Sequence, residues 1–166
     1  RRQLLVVSLR KGARATTAIE GNTLSEAEVA RIDEGEKLPP SKEYLQIAVK
    51  NVIDALNQIR TEVIAEDKAF VLSPELIEKF NYFVGKDLGD HFQGMPGKFR
   101  ASGHNVVVGT YRPPPGADVA PLMLRFCEWM KQTFRYEYGQ QSFSEQVLQA
   151  IVAHVYLAMI HPFGDG

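Results

Sequence analysis

Apolar residues recur at helical spacing through most of this chain, and the rhythm breaks once, between Gly85 and Gly116. That pattern constrains the fold more than any other feature, because a segment with one apolar stripe must bury it against another such segment. From Ser41 a long amphipathic stretch places Leu45, Ala48, Val52, Leu56, Ile59 and Val63 on one face. Leu76, Phe80 and Phe83 or Val84 give a second inner face. Val119, Leu122 or Met123, Phe126, Met130 and Phe134 give a third. From about Ser144, Val147, Leu148, Ile151, Val155 and Met159 give a fourth. Boundaries are marked too. Ser25 with Glu28 is a capping box opening "SEAEVARID", and Gly35 and "LPP" break that helix. "SPEL" at 73–76 combines a cap, a first-turn proline and an acid. Inside the interruption, "NVVVGTY" sets β-branched residues beside Gly-Thr, a short hairpin closed off by three prolines at 113–115. The expected fold is mainly α, a helical bundle interrupted by one β-hairpin.

A chain of 166 residues is most simply one domain, able to bury a core without disulfides or metal staples. A formal charge of -1 gives no global reason to expect a nucleic-acid or membrane partner. Cys127, the single cysteine, lies in "LMLRFCEWM" and reads as a buried reduced thiol, which suits a reducing compartment such as a cytoplasm. No apolar stretch reaches the ~18 residues that crossing a membrane requires. The opening "RRQLLVVSLRKG" holds too short an apolar run for a signal peptide, and both ends read as cuts through helical pattern.

The densest chemistry sits in "LAMIHPFGDG", residues 157–166. Pro162 ends the last helix and pushes His161 out of helical geometry, so the imidazole can project into a cavity. Phe163 would anchor the loop in the core. Gly164, Asp165 and Gly166 can aim successive N–H groups at one point, an anion nest. A carboxylate there works against an anion unless a divalent cation bridges them. A histidine for a base, a carboxylate for a metal and glycines for phosphates describe phosphoryl or nucleotidyl transfer.

Three stretches in order carry a resemblance. "HPFGDG" resembles the first two-thirds of the Fic-family signature, His-Pro-Phe-x-Asp/Glu-Gly-Asn-Gly/Lys-Arg. "TTAIEGN" at 16–22 resembles that family's inhibitory helix motif, with Thr16, Glu20 and Gly21 in the matching places. "PGKFR" at 96–100, followed by "VVVGTYRPPP", resembles the segment leading into its hairpin flap. The resemblance implies a Fic-type helical bundle divided into an N-terminal inhibitory helix segment, residues 1–40, and a catalytic core, residues 41–166, cut on its C-terminal side. It implies transfer of AMP from ATP to a Ser, Thr or Tyr hydroxyl of a target protein, with Mg²⁺ as cofactor. His161 would be the base, Asp165 the metal ligand, and Gly164 and Gly166 phosphate-binding positions. Val106, Val107, Val108, Gly109, Thr110 and Tyr111 would form the flap that pairs with the target's backbone. Glu20 would inhibit by pairing with a motif arginine beyond Gly166, and in some relatives it also helps to remove AMP. A fragment of residues 1–166 is expected to transfer no AMP. A homodimer is left open.

Plainer readings stand beside these. Taken singly, His161 before a proline is a helix cap, "GDG" an exposed turn, Glu20 a surface charge and "VVVGTY" only a hairpin. His154 lies about 10 Å along a helix from His161, too far to share a metal, and reads as structural. His91 and His104 lack ligand spacing. Arg100 and Arg112 default to surface charge, with contact to nucleotide or target as the minority view. Competing functions are transfer from another donor such as UTP, or a catalytically idle Fic-fold module that binds a protein partner.

Overall fold

The structure, a computed structural model, describes residues 2–65, 71–134 and 142–165. Six α-helices occur among the described residues: α1 (Arg2–Ile19), α2 (Glu26–Asp33), α3 (Glu43–Ala65), α4 (Pro74–Gly85), α5 (Gly116–Thr133) and α6 (Phe143–Ile160). Local signals account for their ends. The Ser25 hydroxyl accepts from the Glu28 N–H while the Glu28 carboxylate accepts from the Ser25 N–H, so the capping box of α2 is complete. Ser73 caps α4, with Pro74 at the first helical position. An unforeseen second capping box, Ser142 with Glu145, opens α6 two residues before the start read from the sequence.

The core falls into two clusters. Ala13 of α1, Val29 and Ile32 of α2, and Leu45, Val49, Val52 and Ile53 of α3 form the first, with Leu24 and Leu38 from the connections. Ile77 of α4, Val119, Met123, Phe126, Cys127 and Met130 of α5, and Ile160 of α6 form the second. Helix α4 joins them, since Val84 packs on the first cluster and Ile77 belongs to the second. Asn51, buried in α3, fastens that junction by donating to the carbonyls of Val84 (3.0 Å), in the last turn of α4, and of Lys86 (2.6 Å), just past it. Burial pushes the Cys127 thiol up to about 11, with the Glu75 charge adding to it, so the thiol stays protonated and inert.

Three expectations need correction. The hairpin is reduced to one bridge: Val108 and Tyr111 exchange two N–H···O bonds of 2.9 Å, and no strand occurs among the described residues. Prolines at 113–115 donate no ladder hydrogen bond, which stops pairing at once. In α4 the buried residues are Ile77, Asn81 and Gly85, one position on from the stripe read off the sequence. In α6 the supposed inner face points outward, with Val147 40%, Leu148 54%, Ile151 55%, Val155 45% and Met159 52% exposed. Val152, Ala153 and Leu157 pack on the core instead. Helix α6 is apolar around most of its circumference, so periodicity could not choose its buried side. By averaged composition its 18 residues, mean hydropathy 1.3, also meet the length and apolarity needed to cross a membrane, a criterion that counting uninterrupted runs had missed.

Candidate active site

The end of α6 and the loop after it build one wall of a cavity of about 670 Å³. His161 takes the last-turn bond, its N–H donating to the Leu157 carbonyl at 2.8 Å, and then turns left-handed with φ 47° and ψ 64°. The following proline disfavours continued helix, and few non-glycine residues hold this conformation unsupported. Support comes from Arg100, whose Nε donates to the His161 carbonyl at 2.7 Å and whose backbone N–H donates to the Pro162 carbonyl at 2.8 Å. Phe163 packs on the second cluster, with its ring 5.2 Å from that of Phe99. Gly164 is required by close approach: a Cβ there would lie 2.9 Å from the Gln93 carbonyl oxygen.

Asp165 is held from two sides. Its Oδ2 accepts from the Gln93 N–H at 2.7 Å, and its carbonyl accepts from the Asn81 side-chain amide at 2.9 Å. Asn81 is buried and its Oδ1 accepts from the Gly97 N–H at 2.8 Å, so one side chain of α4 ties the "QGMPGK" segment to the loop after α6. Gly166 lies outside the described residues.

His161, Asp165, Gly164, Phe163, Glu20 and the turn residues Val107, Val108 and Gly109 all line this one cavity. Residues from both ends and the middle of the chain therefore converge. Glu20 follows the last residue of α1, whose end is a Schellman motif: Asn22 N–H donates to the Thr17 carbonyl and Gly21 N–H to the Ala18 carbonyl. Gly21 occupies the left-handed position with φ 84°, which fits its place in the motif. No cation pairs with Glu20 among the described residues. Thr16 is exposed beside a smaller apolar cavity of about 210 Å³ that Glu20 and Asp165 also border, whereas Thr17 is the buried one and donates to the Ala13 carbonyl. Val106 is half-buried and Thr110 exposed. Tyr111 departs from a purely outward docking role, since its hydroxyl donates to the Met159 carbonyl of α6 at 2.6 Å.

Electrostatics favour a neutral imidazole. Burial, and secondarily the Arg100 guanidinium, hold the His161 pKa below the ordinary histidine value. Arg100 itself corrects the sequence reading: it is 4% exposed rather than a surface charge, and burial lowers its pKa. His154, read as structural, is exposed and lines the cavity. His91 stacks on Tyr44 at 4.2 Å, and no three His, Cys, Asp or Glu residues gather as a metal cluster among the described residues. Asn81 and Gln93 were missed as site residues, and Arg100 was weighed only as a minority contact to nucleotide or target. Only the "PGKFR" match hinted at the last of them.

A helical bundle that presents a histidine and an aspartate on the loop after its last helix, facing a glutamate at the end of its first, defines a narrow class. The Fic/DOC family pattern matches residues 71–166, and the chain belongs to that family. It is 30% identical over 152 residues to a protein named protein adenylyltransferase Fic from Culex quinquefasciatus, and 29% identical over 153 residues to one so named from Aedes aegypti. Each alignment covers 91% of this chain and 28% of the relative, so the chain spans under a third of the length of those relatives. In fold, it is similar to a crystal structure of a Fic family protein from Desulfovibrio desulfuricans G20, with TM-score 0.71 and 20% identity, covering 100% of this chain and 46% of that one.

Proposed function

We propose that the protein transfers AMP from ATP to a hydroxyl side chain of a target protein. The observation that carries the reading is the convergence of His161, Asp165, Glu20 and the 107–109 turn on one cavity. His161 removes the acceptor's O–H proton, the acceptor oxygen bonds to the α-phosphorus, and the bond from that phosphorus to the bridging oxygen breaks. Pyrophosphate leaves with the electron pair, and the imidazolium later returns its proton to solvent. A lowered pKa suits this role, because the base must be unprotonated before it acts.

Asp165 fits a Mg²⁺ site of the kind completed by substrate phosphates, for which one or two protein carboxylates suffice. When bound, the ion neutralises phosphate charge. Gly164 allows the backbone to approach the phosphates closely, and Gly166 would extend that loop. The exposed Val107, next to the Val108–Tyr111 bridge, supports docking of an extended target segment by main-chain hydrogen bonds. Such pairing positions a hydroxyl without reading much sequence. Glu20, acidic and facing the same cavity, supports an inhibitory role against the nucleotide's phosphates; the same carboxylate aligning a water would permit AMP removal. We place the activity in the cytoplasm, where ATP and Mg²⁺ are at hand.

The test uses full-length protein with ATP labelled either at the α- or the γ-phosphorus. The α-label should appear on protein and the γ-label should not, with UTP competing poorly. Retention of the γ-label would point to phosphoryl transfer and overturn the proposal.

A further inference from the structure

Arg100 is a buried cation with no carboxylate partner among the described residues. Burying an unpaired charge is costly, so its surroundings must offer strong compensation. They do so with four carbonyl oxygens. Nε donates to His161 (2.7 Å) and Nη2 to Ile160 (3.3 Å), at the negative end of the α6 dipole. Nη1 donates to His104 (2.9 Å) and Nη2 also to Pro114 (3.0 Å). These last two residues bracket the loop that carries the Val108–Tyr111 bridge. The loop's root is closed by Asn105, whose Oδ1 accepts from the Gly116 N–H at 3.1 Å. A planar fork with five N–H groups can hold acceptors on two sides in fixed geometry, whereas an ammonium cannot.

We propose that Arg100 is a positioning residue that sets the register between the target-docking turn and His161. One guanidinium fixes the base's backbone at one edge and the two roots of the docking loop at the other. Tyr111 adds a second tether from the loop to the same helical turn. The proposal rests on the AMP-transfer reading, and it makes a claim that a purely structural arginine does not. A structural plug would scale all activity together. A register device governs which acceptor reaches the base: a side-chain hydroxyl delivered by the docked loop needs the register, while water, which yields free AMP and pyrophosphate, does not.

The experiment compares wild-type and Arg100→Lys full-length protein, with Arg100→Gln as a second variant that keeps two neutral donors. Self-modification and ATP hydrolysis to AMP are measured together, alongside ATP affinity. The ratio of self-modification to hydrolysis should fall by about tenfold or more in both variants, in line with the effect of a small misplacement on rate, while ATP affinity changes less than about twofold. A ratio unchanged from wild type, whether both rates fall or neither does, overturns the proposal. So does failure of both variants to fold, which would make Arg100 a folding residue. Wild-type protein with no AMP transfer would instead sink the functional reading. In that case amide hydrogen exchange decides on Arg100: the N–H groups of Val108, Tyr111 and His161 should exchange faster together in Arg100→Lys while α1 to α3 stay protected. Exchange confined to one of the two sides would contradict the coupling.

Discussion

His161 is held in a conformation that a non-glycine residue adopts only under support, and its imidazole is partly desolvated. Both facts bear on pH. With its pKa below the usual ~6.5, the neutral base persists as pH falls, and activity disappears only when protonation sets in. The acidic limb of the kcat/KM profile for AMP transfer should therefore lie below that of a free histidine; a limb at or above it would contradict the reading. Gly164 gives a sharper steric test. Gly164→Ala places a methyl against the Gln93 carbonyl, an overpacking that costs about 1–3 kcal/mol and tilts the loop that carries Asp165. The melting temperature and the affinity for ATP with Mg²⁺ should both fall.

Between elements, the decisive contacts are single polar side chains reaching across buried gaps. Asn81 of α4 satisfies the Gly97 N–H and the Asp165 carbonyl at once. Asn81→Ala leaves both groups unpartnered, at about 1–3 kcal/mol, and should lower denaturant stability and AMP transfer together; Asn81→Asp, which keeps an acceptor for the Gly97 N–H but sets a buried carboxylate against the Asp165 carbonyl, should restore neither. These contacts were the least legible part of the sequence. Asn81 and Asp165 lie far apart in the chain, and nothing local marks an asparagine that serves two loops. Arg100 looked like surface charge because burying an arginine normally calls for a carboxylate, and here carbonyls from separate segments take that place. By contrast, His161, Asp165 and Glu20 were singled out from motifs only a few residues long, and the structure brings the three to one cavity. The caps at Ser25 and Ser73 were legible for the same reason. The buried face of α6 was not, since a helix apolar on most sides carries no phase.

Across the whole molecule, two cores meet at α4, and the cavity draws Glu20 from the side of the first and His161 from the second. Asn51 holds that meeting by occupying two carbonyls at the C-terminal end of α4. Asn51→Ala should cost about 1–3 kcal/mol and loosen the first core against the second. Basal AMP transfer should then rise even as thermal stability falls, which paired melting and activity measurements would show. The most direct test is AMP incorporation by full-length Glu20→Gly, read by mass spectrometry beside wild type and the double variant Glu20→Gly/His161→Ala. Freed of the glutamate, the single variant should carry more AMP by on the order of tenfold, a coupling of ordinary size, and the double variant should carry none. Equal incorporation by wild type and Glu20→Gly, or an adduct that survives loss of His161, would contradict the account.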